Sequence, residues 1–332
     1  MKVMSVMSRV GSCLGTAVRK QLDPYVALPD VEIPPGRWLQ LPRRGRTWLT
    51  ELPGPPGAPT IVLLHAVGCT GMLTWFPVVH RLAERYRVVV FDQRWHGRGI
   101  ISESFSLHDC ADDVAAVITE LGLEDPIVAG YSMGSVIAQR VWRQHPDLVG
   151  GLVLAATTDH FRSNRSESVF HSGMEISMGA LRTLSKSRTV RRATRSTAEA
   201  LHVPELDLAQ WALEEWRSTS PWAVAQAVAA LGRHHSTPWL ARIDVPTAVV
   251  IPSKDKAIPP ARQRRLAARI PGATVHEAPC GHAGCVIQSD RFTPAFLEAV
   301  HVTAARIRDR RRTRRPIRAR TAQPAGSSES MR

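Results

Sequence analysis

Short apolar runs recur along this chain, and between them hydrophobic positions return every three to four residues. "TIVLLH" (60–65) and "RVVVFD" (87–92) are continuously apolar, as strands buried on both faces are. "PIVAG" (126–130), "GLVLAA" (151–156), "TAVVIP" (247–252) and "ATVHEA" (273–278) read as further strands. Upstream, "RWLQLP" (37–42) and "RTWLTEL" (46–52) read as a strand pair, closed by the turn-rich "ELPGPPGAP". Helical spacing fills the intervals: "WFPVVHRLAERY" (75–86), the set Leu107, Cys110, Val114, Val117, Ile118 and Leu121, then 134–145, 260–269 and a last helix from about Phe292. Strands alternating with helices imply right-handed β-α-β units and an α/β fold with a mostly parallel sheet.

The alternation stops for about 90 residues after "GLVLAA". Only helical material such as "GALRTLSKSRTVRRATRSTAEAL" (179–201) and "PWAVAQAVAALGRHH" (221–235) lies there. This predicts a helical cap, 157–246, inserted into a core formed by 37–156 and 247–305. Residues 1–36 read as an N-terminal extension, and 306–332 as an arginine-rich tail with too little apolar surface to fold.

Composition changes this picture little. The chain has 332 residues, 44% of them hydrophobic, enough for a sizeable core. Its net charge is +14, and the segment 306–320 alone holds nine arginines and one aspartate. No aromatic residue is interleaved with those arginines, so nucleic acid is not an expected partner. A solvated tail, or contact with an anionic membrane or acidic partner, fits them better. Five cysteines without a C-x-x-C pair point to a reducing, cytoplasmic setting, with membrane association through the tail left open. Arg9 interrupts the apolar start, no cleavage site follows, and no window reaches the length of a spanning helix. No metal-ligand spacing is present, and the adjacent His234 and His235 read as surface residues. Oligomeric state is not encoded legibly.

The chemistry concentrates at Gly130-Tyr131-Ser132-Met133-Gly134, between the "PIVA" strand and a helix. A serine at such an abrupt turn is held clear of its backbone, and flanking glycines let strand and helix pass closely. A serine hydroxyl needs a base, and the base needs a third group to orient it. On a parallel sheet both should follow later strands, acid before histidine. "SKDKAIPP" after "TAVVIP" offers Asp255, and "PCGHAGC" after "ATVHEA" offers His282. Asp159, just past "GLVLAA", is the competing acid, and His276, inside a strand pattern, is a weaker base. The Met133 N–H and the Val67 N–H of "HAVGCTG" are the candidate oxyanion donors. His65 reads as an organiser of that loop. Tyr131, Trp75 and Trp95 are candidate substrate contacts, together with Met174, Met178 and Leu181 of the cap, which would line an apolar acyl pocket.

These pieces resemble the α/β-hydrolase superfamily in its capped bacterial branch, over about residues 37–305. "LLHAVG" is similar to the usual H-G-x-x-G loop, "FDQRWHGRG" to D-x-R-G-x-G-x-S, and "GYSMG", "SKDKAIP" and "CGHAG" to the elbow, acid and histidine loops. Ala66 and Trp95 stand where glycines are customary, and Gly99 where a serine is. The resemblance implies an eight-stranded sheet with the second strand antiparallel, no cofactor, and a site between core and cap. It implies a serine hydrolase of a carboxylic ester with an apolar or lipid-like acyl group. Other acyl bonds (lactone, thioester, a C–C bond beside a carbonyl), perhydrolysis, or a non-catalytic binding protein on the same scaffold are the alternatives. A serine nucleophile excludes epoxide and haloalkane hydrolysis, because attack on an alkyl carbon would leave an inert ether.

Overall fold

In the computed structural model, residues 31–162 and 208–314 are described. Outside them lie the N-terminal extension up to residue 30, the helical stretch expected at 179–201, the cap residues Met174, Met178 and Leu181, and the tail beyond Arg314.

The strands are β1 (Gly36–Leu41), β2 (Gly45–Leu52), β3 (Thr60–Leu64), β4 (Arg87–Phe91), β5 (Ile127–Tyr131), β6 (Gly151–Ala155), β7 (Thr247–Pro252) and β8 (Thr274–Ala278). They form one eight-stranded sheet in the order β1-β2-β4-β3-β5-β6-β7-β8. β2 is antiparallel to both β1 and β4, and every pairing from β4 to β8 is parallel. The expected α/β fold is therefore present, antiparallel second strand included.

Two apolar layers cover the sheet, and strand residues divide between them with period two. Val62, Leu64 and Val128 face one layer with α3 (Leu107–Glu120), α4 (Met133–Gln144) and α7 (Pro260–Arg269). Ile61, Leu63 and Ile127 face the other, with α1 (Gly71–Trp75), α2 (Val79–Ala83) and α9 (Ser289–Arg314). Two helices beyond residue 207, α5 (Leu208–Arg217) and α6 (Pro221–Leu231), precede β7, and the short α8 (Gly284–Ile287) precedes α9. Among the described residues no helix is long and apolar enough to cross a membrane.

Three local expectations are corrected. The single helix read over 75–86 is two short ones, because Pro77 cannot continue the α-helical hydrogen bonding. The final helix starts at Ser289 and runs to Arg314, through the first part of the expected tail. It is held there by Ile307, packed against the core, and by an Arg311–Asp125 ion pair at 2.7 Å. His234 is buried, not on the surface.

The basic end of α9 has a definite position. Asp125 precedes β5, and the Gly272 carbonyl, which accepts from Arg306 at 2.8 Å, precedes β8. Arg306 and Arg311 thus sit at the strand starts, the edge of the sheet opposite the one where Ser132 follows β5.

Candidate active site

Ser132 stands between β5 and α4 with φ 51° and ψ −111°, a left-handed conformation that non-glycine residues rarely adopt. The surroundings enforce it. A Cβ on Gly130 would come within 2.2 Å of the Gly134 carbonyl carbon, and one on Gly134 within 2.1 Å of the Leu64 carbonyl oxygen. Only glycines let β5, α4 and β3 approach this closely. The turn is further pinned by the Ser132 N–H, which donates to Ala155 O at 2.9 Å. Beside it the Ser135 hydroxyl donates to Gly130 O at 2.6 Å and accepts from Ala155 N at 2.9 Å. Ser135 was not singled out in the sequence, since a serine one turn into a helix carries no signal of its own.

Asp255 lies in the loop after β7 with its side chain fully buried. Its Oδ1 accepts from Ala257 N and Ile258 N, both at 2.8 Å. Its Oδ2 accepts from Gln263 Nε2 at 3.0 Å and from His282 Nδ1 at 2.7 Å. A carboxylate only accepts, so this contact places the imidazole proton on Nδ1 and leaves Nε2 as an acceptor. Nε2 lies 3.2 Å from Ser132 Oγ. The three residues singled out from separate loops therefore form one chain of hydrogen bonds at the carboxyl edge of the sheet. Gln263, one turn into α7, was missed; a glutamine eight residues past an aspartate has no sequence signature.

The competing acid is committed elsewhere. Asp159 accepts from Thr237 Oγ1 at 2.6 Å, His160 Nδ1 at 2.9 Å and Arg269 Nη1 at 2.9 Å. Burial opposes its charge, but Thr237, His160 and Arg269 outweigh burial and hold the carboxyl below its usual range. His276 is buried in β8, with Nε2 3.0 Å from Thr274 Oγ1.

The loop before α1 is braced by a second histidine. His65 Nδ1 donates to Ala66 O at 2.8 Å, and Nε2 accepts from Gln93 N at 2.8 Å. Burial lowers the His65 pKa to about 4, so the ring is neutral and structural at ordinary pH. Within this loop the Ala66 N–H is taken by Thr74 Oγ1 and the Cys69 N–H by Ala66 O, with half-buried Val67 between them. Met133 begins α4, where the first N–H groups have no partner within the helix.

Two of the three aromatic residues expected to touch substrate are buried in the core. Trp75 is fully buried, with its ring 4.9 Å from Phe296 and 6.3 Å from Tyr131. Tyr131 is 1% exposed, and its hydroxyl donates to the His282 carbonyl oxygen at 2.7 Å. Both are corrected to core residues beneath the histidine loop, because β5 and α1 turn those side chains under the sheet's second layer. Trp95, half-buried, occupies a left-handed position (φ 65°). Its indole N–H donates to Ser102 Oγ at 3.0 Å, and its ring lies against Phe105 at 6.0 Å. Gly99, where the related motif has serine, could not carry one: its Cβ would meet Gln93 O at 2.1 Å.

A doubly covered, mostly parallel sheet with a serine elbow and a histidine between that serine and a buried aspartate defines the hydrolase class of α/β folds. The chain belongs to the alpha/beta hydrolase fold family, whose sequence profile matches residues 59–287. Similar curated proteins include 3-oxoadipate enol-lactonase 1 of Acinetobacter baylyi, 27% identical over 64% of this chain and 77% of that protein. The putative carbamate hydrolase RutD of Serratia proteamaculans is 28% identical over 73% of this chain and 91% of that protein. A pimeloyl-acyl-carrier-protein methyl ester esterase of Chromobacterium violaceum is 28% identical over 74% of this chain and 96% of that protein. The chain is a hydrolase in that company.

Proposed function

We propose that this hydrolase cleaves carboxylic esters through an acyl-enzyme on Ser132. The observation that carries the reading is the position of His282, 2.7 Å from Asp255 Oδ2 on one side and 3.2 Å from Ser132 Oγ on the other. Ser132 Oγ attacks the acyl carbon while His282 Nε2 takes its proton. Asp255 holds the tautomer that makes Nε2 a base and stabilises the imidazolium that results. The tetrahedral oxyanion is received by the N–H groups of Met133 and Val67. His282 then protonates the leaving alcohol. Water, deprotonated by the same imidazole, releases the acid and restores the serine.

The names of the relatives support an acyl carbon as the target: an enol-lactone and a methyl ester are both carboxylic esters, and a carbamate presents the same carbonyl electrophile. A cyclic ester is the second reading, favoured by the enol-lactonase likeness. An anionic membrane held by the arginines of α9 would face the opposite edge of the sheet, so we place substrate entry on the cap side.

Ser132→Ala is expected to lower turnover of p-nitrophenyl butyrate by about three powers of ten or more with an unchanged circular dichroism spectrum. An activity near wild type would overturn the reading. The ratio of kcat/KM for short linear esters to that for lactones decides between open-chain and cyclic substrates.

A further inference from the structure

Helix α5 opens the second described stretch and packs on the core, and one stripe of it makes the contact. Leu208, Trp211 and Glu215 are spaced by three and four residues and share a helix face. Leu208 and Trp211 pack on the apolar layer around α1, with the Trp211 ring edge-on to Phe76 at 5.3 Å. The third member of the stripe is a carboxylate, and it is buried.

Glu215 reaches two pieces of the core at once. Its Oε2 accepts the Thr70 hydroxyl, and its Oε1 accepts from Arg98 Nη2 at 2.7 Å. Thr70 is the N-cap of α1, accepting from Leu73 N at 3.1 Å, and it closes the loop that starts at His65 and contains Val67. Arg98 belongs to the turn after β4, where its N–H donates to Asp92 Oδ2 at 2.9 Å while Asp92 Oδ1 accepts from Gly71 N at 2.8 Å. Two residues past the end of α5, the Thr219 hydroxyl accepts from Gly97 N at 3.0 Å. Cap helix, oxyanion loop and post-β4 turn thus meet at a single side chain.

Packing alone would not need a charge here. A buried carboxylate is costly unless its oxygens are well satisfied, and removing one partner leaves the other uncompensated. Burial, with Asp92 nearby, drives the Glu215 pKa up against the opposing pull of Arg98 and Thr70. What such a group supplies is directional: two hydrogen bonds fix a distance and an orientation that apolar contact leaves free.

We propose that Glu215 is a positioning residue for catalysis, locking the cap helix α5 to Thr70 and so fixing where the Val67 N–H points. This rests on the reading of Ser132 as nucleophile and of Val67 as an oxyanion donor. Val67 lies three residues from Thr70, so a displaced Thr70 carries the donor with it. Misplacement by about 1 Å costs roughly 10- to 100-fold in rate, and it falls on the step that develops charge and not on substrate affinity.

The test uses Glu215→Ala, Thr70→Val and Thr70→Ser in the full chain. Each is assayed on p-nitrophenyl butyrate and by the rate at which a fluorophosphonate labels Ser132, since phosphonylation loads charge onto the same donors. Glu215→Ala and Thr70→Val are expected to lower kcat and the labelling rate together by about 10- to 100-fold, with KM within about threefold of wild type. Thr70→Ser keeps the hydroxyl and is expected to behave as wild type. If Glu215→Ala does not fold, the Thr70 pair decides alone. A raised KM at unchanged kcat, or equal activity in Thr70→Val and Thr70→Ser, overturns the proposal while leaving the hydrolase reading standing. A wild-type protein that the fluorophosphonate does not label removes the hydrolase reading, and this proposal with it.

Discussion

The Tyr131 hydroxyl donates a 2.7 Å hydrogen bond to the carbonyl oxygen of His282, joining the residue before the serine to the histidine it must meet. Tyr131 is immobilised from below by Trp75 and by Phe292, 5.2 Å away edge-on. The histidine loop is therefore supported on the same aromatic layer that carries β5. Tyr131→Phe keeps that packing and removes only the hydrogen bond. Its expected cost is about 1–2 kcal/mol in urea unfolding, because a part-buried carbonyl loses its partner. A fall in kcat of roughly 3- to 10-fold should accompany it; an unchanged kcat would show that the bond does not position the imidazole.

The two candidate acids are expected to separate by function. Asp255→Asn presents an amide where the imidazole N–H must be accepted, and kcat is expected to fall about 10⁴-fold. Asp159→Asn should leave kcat within about threefold and instead cost about 1–3 kcal/mol of stability, through its contacts with Thr237, His160 and Arg269. Steady-state kinetics paired with urea melts of both variants checks this, and the opposite pattern would reassign the acid.

Gly134→Ala tests the close passage of α4 over β3. Its new Cβ would lie 2.1 Å from a backbone oxygen, Leu64 O, so no side-chain rotation relieves the clash. A destabilisation of about 3 kcal/mol or more is expected, at the upper end of overpacking effects. A urea midpoint equal to wild type would mean that helix and strand can part without penalty.

How much of this was legible in the chain follows from where each constraint originates. The Ser132 elbow could be read because its steric demand falls on Gly130 and Gly134, neighbours in sequence. Asp255 and His282 could be read because each follows a strand whose apolar run is plain. The burial of Tyr131 and Trp75 could not, because the side of the sheet a residue meets depends on which helices cover it. Glu215 was invisible for the same reason, since its partners Thr70 and Arg98 lie on distant segments, and Gln263 because a glutamine eight residues past an aspartate has no signature. His234 looked like a surface residue beside His235, and only the packing of Trp239 and Arg140 around it shows otherwise. Tail arginines read as solvated because charge hides the helix that Ile307 and Asp125 retain.

His234 also gives a pH test. Among the described residues neither of its ring nitrogens has a hydrogen-bond partner. Burial, and then Arg140, lowers its pKa from 6.5 to about 3. The unfolded chain binds this proton near pH 6.5 and the folded chain does not, so the stability from a neutral His234 is complete above pH 6.5 and is lost as pH falls toward 3. His234→Leu removes that loss. Relative to wild type it should gain about 2 kcal/mol more at pH 5 than at pH 7.5 in urea unfolding. The same difference at both pH values would contradict a buried neutral ring.

The most direct measurement of the central claim is the rate at which a fluorophosphonate modifies the wild-type protein and its His282→Gln variant, with the modified residue located by peptide mass spectrometry. The account predicts modification at Ser132 in the wild type and a rate lower by about three powers of ten or more in the variant, since glutamine cannot take the proton. Modification at another residue, or an equal rate in both proteins, would contradict it.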